Sequence, residues 1–136
     1  MHKYTVEFRI YSPDLDPSLV TTTLGLEPSL VRTTAELSQH PKFRHALWAY
    51  NGEESGRVRE WQSLEEGLRF LLKMLSPVKG RLVAFQKHNF VFWCGHFQSS
   101  FDRGPTLSPE LLRELADFGV PVFIDNYFEQ RNQEHE

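Results

Sequence analysis

The sequence holds a single cysteine, Cys94, among 136 residues, so the chain cannot form an intramolecular disulfide. A lone cysteine is typical of a reducing compartment, and we expect a cytoplasmic protein. Nowhere do about 18 apolar residues follow one another, and the N-terminal residues lack the apolar run of a signal peptide. These absences predict a chain that neither crosses a membrane nor is exported.

The chain also lacks a large excess of charge of either sign. The 15 basic and 18 acidic residues are interspersed and give a formal net charge of −3. A chain without a broad positive field cannot hold a phosphate backbone along its surface, which argues against nucleic acid as a partner. Glycine-rich phosphate motifs are missing too, since there is neither a G-x-G-x-x-G run nor a Walker-type lysine loop. We therefore expect no nucleotide and no other cofactor.

Apolar residues, by contrast, are plentiful. They make up 40% of the chain, and aromatic residues make up 13%, which is ample material for a packed interior. No linker separates two cores, so we predict one domain over residues 1–136. Its ordered core is expected to span residues 4–128, with residues 129–136 as a polar tail.

Periodicity and end signals predict the secondary structure. Residues 4–11 alternate between apolar and polar, which is typical of a strand with one wet face. The leucines of residues 64–75 repeat at the spacing of one helical face, after a capping sequence that begins at Ser63. Gly25 and Gly119 follow helical patterns and are expected to end them with positive φ. The predicted strands cover residues 4–11, 46–50, 90–98 and 120–128, and the predicted helices cover 17–24, 64–75 and 109–118.

This order of elements predicts the fold class. Strands and helices alternate, and the first strand has a polar face, so we expect an α+β fold. The prediction is an antiparallel or mixed four-stranded sheet with helices packed mainly on one face. Residues 27–62 are the least regular part, because Pro28, Pro41, Gly52 and Gly56 interrupt them and only residues 46–50 are strand-like.

The densest group of side chains that could act in catalysis or binding lies where the predicted strand of residues 90–98 ends in a glycine-containing loop. One hypothesis is a thiol-dependent hydrolase or other enzyme, in which His96 activates Cys94 and Asp102 orients His96. A second is a metal site built from Cys94 and His96 with His88 or Asp102, but no second close ligand pair supports it. We predict no metal site and assign no catalytic residue.

The hypothesis we prefer is a non-enzymatic binding module. Its partner would be an unidentified protein or a small ligand, contacted by residues 94–106 and by residues 30–61. The candidate partner-binding residues are Trp93, His96, Phe97, Ser99, Ser100 and Asp102.

Strand alternation refines this hypothesis. Both side-chain sets of the strand are too apolar for a wet face, so we predict an apolar groove near Gly95 on the face of the sheet without helices. Trp93 and Phe97 would flank the groove, and the loop of residues 99–104 would close one end. The alternative is that residues 30–61 fold across this face and bury it.

Short segments along the chain point to one family. They are Phe8-Arg9-Ile10-Tyr11, Leu15-Asp16-Pro17, Leu24-Gly25-Leu26-Glu27-Pro28, Trp48, the helix of residues 64–75, Cys94-Gly95-His96-Phe97 and the run from Gly104-Pro105 to Leu111-Leu112. Together they resemble the bacterial domain of unknown function 4279 family over residues 4–127. The resemblance implies a small bacterial cytoplasmic α+β protein without an established activity or cofactor, and it adds no catalytic residue.

Two further alternatives stay open. Some small bacterial proteins of this general kind act as immunity proteins that block a toxin, and by that analogy the partner would be a toxin. The chain would otherwise be a structural homodimer formed through the edges of its sheet.

Overall fold

The computed structural model describes residues 1–54 and 57–129. Most of the predicted tail, residues 130–136, lies outside the described residues. In chain order the elements are β1 (His2–Ser12), α1 (Pro17–Leu24), β2 (Leu30–Arg32), α2 (Thr34–Leu37), β3 (Ala46–Tyr50), α3 (Leu64–Leu75), a 3₁₀ helix (Ser76–Phe85), β4 (Asn89–Gln98), α4 (Pro109–Phe118) and β5 (Val122–Phe128).

The strands form one mixed sheet of five strands in the order β2-β3-β1-β4-β5. β4 and β5 are parallel, whereas the other neighbours are antiparallel. The α+β class and the mixed sheet are confirmed, but the predicted count of four strands is wrong. The fifth strand, β2, has three residues, Leu30 to Arg32, and so is too short to show an alternating pattern.

The core lies between one face of this sheet and the helices. Every second residue of β1 is buried, from His2 to Ser12, because the strand is central and its alternate side chains point into the core. α3 buries a continuous stripe on this face, and α1 and α4 bury shorter ones. The prediction that helices pack on one face agrees with this arrangement.

The helix ends follow the local sequence. Asp16, Ser63 and Ser108 each accept a backbone N–H of the first turn of their helix. Gly25 ends α1 with φ of 72°, and Gly119 ends α4 with φ of 79°. The positive φ predicted for both glycines is confirmed.

Within residues 30–61, the described residues extend the sheet and also border the face that carries Trp93, since Asn51, Val58 and Arg59 line a cavity with Trp93 and Phe97. Two of their segments are the strands β2 and β3, which add to one side of β1. The chain then turns at Gly52, whose φ is 84° and whose Cα lies against Phe70 of α3. Trp61 returns to β1, where its backbone N–H and carbonyl bond to those of Tyr4 at 2.7 and 2.8 Å.

None of the helices in residues 1–54 and 57–129 combines the length and the apolar character that a bilayer crossing needs.

Candidate functional site

β4 divides the predicted site residues between the two faces of the sheet. Trp93 and Phe97 lie on the face opposite the helices, here called the open face. His96 points toward the helices, and the loop after β4 brings Asp102 to the same side. The candidate residues therefore form two groups and not one surface.

The open face carries a strip of aromatic side chains, because β4 and β5 run parallel in register there. Trp93 lies opposite Phe123, and Phe97 lies opposite Tyr127. The rings of Phe97 and Tyr127 stack with centroids 4.9 Å apart and planes 12° apart, and the Trp93 ring lies 6.3 Å from that of Tyr127. The side chains of Phe123 and Tyr127 are exposed.

The predicted groove is present only in part. A cavity of about 200 Å³ is flanked by Trp93 and Phe97, as predicted, and Thr5 also lines it. It does not lie over Gly95 itself, because a Cβ added there would lie 2.7 Å from Thr5 Oγ1 and 3.0 Å from the Phe97 ring, which leans over the glycine. The loop of residues 99–104 does not line this cavity. Its residues Arg103 and Gly104 line a cavity with His2 on the helix side.

A second cavity, of about 320 Å³, is also lined by Trp93. We call it the basic groove. Its lining residues are Arg9, Tyr11, Arg32, His45, Leu47, Val91, Trp93 and Phe123. Trp93 is half-buried, and the guanidinium carbon of Arg9 of β1 lies 4.3 Å from its ring centroid. Arg9 also donates a hydrogen bond to the carboxylate of Glu7.

Two other basic side chains complete the groove. The Arg32 guanidinium stands over the ring of Phe43 at 3.8 Å, and the His45 ring meets the edge of Tyr11 with centroids 5.4 Å apart. Within residues 1–54 and 57–129, no carboxylate lies within 4.0 Å of Arg32, and neither ring nitrogen of His45 has a hydrogen-bond partner. Both retain donors for a further group.

On the helix side, four side chains form a continuous chain of hydrogen bonds, here called the histidine chain. Asp102 Oδ1 lies 2.8 Å from His2 Nε2, and His2 Nδ1 lies 2.9 Å from His96 Nε2. His96 Nδ1 lies 2.8 Å from Asn126 Oδ1. Both imidazoles are buried, and the ring of Tyr4 stacks on His96 with centroids 4.6 Å apart.

The two ends of this chain differ in what they accept. The carboxylate of Asp102 only accepts, so His2 Nε2 donates to it. The side-chain amide of Asn126 can present either its oxygen or its nitrogen to His96 Nδ1, so it can partner either tautomer of that ring.

Asp102 ends the histidine chain, although 60% of its side chain is exposed. The hydroxyl of Ser100 donates to Asp102 Oδ1 at 2.6 Å, and this bond, followed by that from His2, holds the pKa of Asp102 well below its usual range. Ser99, its neighbour in the loop, accepts from the N-terminal amine of Met1 at 3.1 Å. The loop therefore fastens the start of β1 to the end of β4.

Cys94 lies outside the histidine chain. Its thiol is fully buried, contacts the carbonyl oxygen of Phe92 at 3.9 Å, and has a pKa raised to about 12 by that burial. His96 has both ring nitrogens engaged, and His2 stands between His96 and Asp102. This geometry does not form the predicted triad, in which Asp102 orients His96 directly and His96 bonds to sulfur.

No group of three or more His, Cys, Asp or Glu side chains in the described part of the chain is arranged to hold a metal ion. His88, named above as a possible ligand, instead lies 2.5 Å from the hydroxyl of Ser12. His88 lies just before the first residue of β4, whereas His96 lies near its last residue, so the two are at opposite ends of the strand.

Several residues of both groups were missed by the sequence analysis. His2 lies 94 residues from His96 in the chain, and only the pairing of β1 with β4 brings them together. Arg32 and His45 reach the basic groove through β2 and β3, at the side of the sheet where sequence patterning is weakest. The alternation of β1 was the available signal for Arg9, since it places this arginine on the wet face.

Comparison with known proteins identifies the family. Searches of the curated proteins and of the solved structures found no match. One family model, described as "Domain of unknown function (DUF4279)", matches residues 2–129, which is nearly the whole chain. The chain therefore belongs to the DUF4279 family.

Proposed function

We propose that this protein is a non-enzymatic binding module that holds its partner on the open face of its sheet. The observation that carries the proposal is the basic groove with its aromatic neighbours. A sheet face without helices normally carries polar side chains, whereas this one presents Trp93, Phe97, Phe123 and Tyr127. Contiguous apolar surface beside a cavity is typical of an interaction site.

The histidine side of the sheet gives less support for a binding surface. His2 and His96 are buried, and each of their ring nitrogens already has a hydrogen-bond partner within the histidine chain. The enzyme hypothesis centred on Cys94 gains nothing from the geometry, because a buried thiol with a raised pKa is a poor nucleophile. We therefore assign partner binding to Trp93 and its neighbours on the open face. We keep the cytoplasm as the proposed location, because a single buried thiol suits a reducing compartment.

Capture from the native cell tests the proposal. The tagged full chain is compared with Phe123→Asp, at the rim of the groove, and with Leu112→Asp on α4. Both side chains are 50% exposed, so the two variants add the same charge at similar cost to the fold. Mass spectrometry of the retained proteins and small molecules should show material that the chain and Leu112→Asp hold and Phe123→Asp loses. The same material in all three, or none above background, would reject an open-face partner.

A homodimer is the second candidate, and one observation favours it. Phe101 and Phe128 stack with centroids 4.4 Å apart although they are 79% and 43% exposed, and they lie at the end of the edge strand β5. Exposed aromatic residues at a sheet edge favour pairing with a second chain. Sedimentation of the full chain should show a dimer that Phe101→Ser dissociates, and a monomer at all concentrations would exclude it.

An immunity-like role would be a special case of the proposed function, with a toxin as the protein partner. Gene neighbourhood is the informative observation. An adjacent toxin gene, followed by capture of its product on the chain and loss of that capture in Phe123→Asp, would support it. A captured small molecule with no protein would oppose it.

A further inference from the structure

We infer that the basic groove takes a small, flat molecule that carries one acidic group, a carboxylate or a phosphate. This inference rests on the proposed function, because it names the ligand class of the same surface. The groove measures about 320 Å³, at the lower end of the roughly 300–1,000 Å³ that ligand pockets occupy. That volume suits a body of one or two rings.

The apolar part of the lining includes two aromatic side chains. Trp93 and Phe123 lie side by side on the parallel strands β4 and β5, while Val91 and Leu47 add aliphatic surface. An aromatic body gains both burial and ring contacts against such a wall. The guanidinium of Arg9, whose carbon lies 4.3 Å from the Trp93 ring centroid, extends the same surface.

The charged part of the lining has one sign. Arg9, Arg32 and His45 line the groove, and no aspartate or glutamate does. Three acidic side chains near the groove already accept hydrogen bonds. Glu7 accepts from Arg9, Asp125 accepts from Tyr127, and Glu36, which interacts electrostatically with Arg32, accepts from Thr33. The groove is therefore locally positive on a chain whose formal net charge is −3.

Arg32 is the anchor for the acidic group. Arg9 already holds a carboxylate, whereas Arg32 has no acidic partner within ion-pair distance among the described residues. Phe43 covers one face of its guanidinium, which restricts its orientation and leaves the N–H edge for a planar acceptor. His45, on the same groove, provides a further N–H donor.

Three probes with one aromatic body separate shape from charge. 1-Naphthoate, 1-naphthyl phosphate and the neutral 1-naphthalenemethanol are titrated into the ¹⁵N-labelled full chain. The indole N–H signal of Trp93 reports binding, while that of the buried Trp48, which donates to Thr21 at 3.0 Å, is an internal control. Probes of this size bind with a dissociation constant on the order of 1 mM.

We expect at least one acidic probe to shift the Trp93 signal at about tenfold lower concentration than the alcohol, and Arg32→Gln to remove most of that advantage. Arg113→Gln, an equal charge change on α4, should leave it unchanged. Higher salt should weaken the acidic probes and not the alcohol. The acidic probe that binds more tightly identifies the acidic group.

Two outcomes would overturn the inference. Equal binding of all three probes, with no effect of Arg32→Gln, would show that charge plays no part in this groove. No shift of Trp93 with any probe would show that the groove takes no such molecule. Neither outcome removes the proposed function, because the capture experiment registers a partner of any chemistry that the open face holds, including one without an acidic group.

Discussion

Burial determines the chemistry of Cys94. Its thiol is fully buried with a pKa raised to about 12, so almost no thiolate exists near neutral pH. We expect iodoacetamide to modify the native chain very slowly at pH 7.5 and the urea-unfolded chain at the rate of an ordinary cysteine. Mass spectrometry of timed samples measures both rates. Rapid labelling of the native chain would restore the thiol-enzyme hypothesis.

Gly119 shows how backbone conformation alone affects stability. An added Cβ would meet no atom within 4 Å at Gly119 or at Gly80, but only Gly119 has positive φ, of 79°. We therefore expect Gly119→Ala to lower the free energy of unfolding by about 1 kcal/mol, since alanine is strained in the left-handed region. Gly80→Ala should cost nothing or stabilise slightly. Urea unfolding measures both, and equal effects would refute the explanation.

The low pKa of Asp102 predicts a pH dependence of stability. Its folded pKa lies below the value of about 3.9 in unfolded chains, so the folded state binds fewer protons in that range. The stabilisation is fully present above about pH 4 and is lost as the pH falls through the folded pKa. We expect Asp102→Asn to be less stable than the unaltered chain at pH 6, with a difference that shrinks in acid. Asp117→Asn, on α4, should not show that trend in urea unfolding.

At the scale of elements, Glu65 couples α3 to α4. It accepts the backbone N–H of Ser108 at 2.6 Å and its hydroxyl at 2.9 Å, and Arg69 bridges Glu65 to Glu114 of α4. We expect Glu65→Ala to lower the Tm by a few degrees, because α4 loses this attachment. Glu66→Ala removes an equal charge from the same helical turn and should have a smaller effect. Equal decreases in Tm for Glu65→Ala and Glu66→Ala would show that Glu65 contributes to stability only through its charge.

The elements also show how far the sequence could predict this structure. Local rules sufficed where a segment carries its own signal: residues 46–50 form β3 as predicted, and Gly25 and Gly119 end their helices. β2 was not predicted, because its three residues form a strand only by pairing with β3. The strand alternation placed Trp93 and Phe97 correctly, but the lean of the Phe97 ring over Gly95 depends on a side-chain direction that spacing does not encode.

At the scale of the whole molecule, the candidate site depends on contacts that are distant along the chain. His2 bonds to His96 through the pairing of β1 with β4, and Arg32 and Trp93 line one cavity although they lie on β2 and β4. No local sequence pattern predicts such contacts, because they form only when distant strands pair. Alternation along β4 indicated that His96 and Trp93 face opposite ways, but it did not indicate which residues of other strands would join each of them.

The central position of β1 has a consequence for synthesis. β1 is made first, yet its long partner β4 ends at Gln98, and its other partner β3 covers only Phe8 to Ser12. At roughly 5–20 residues per second, the ribosome needs on the order of ten seconds to deliver β4 after β1. During that time the apolar half of β1 is unpaired, so we expect nascent chains to depend on a holding chaperone and truncated chains to associate with one another.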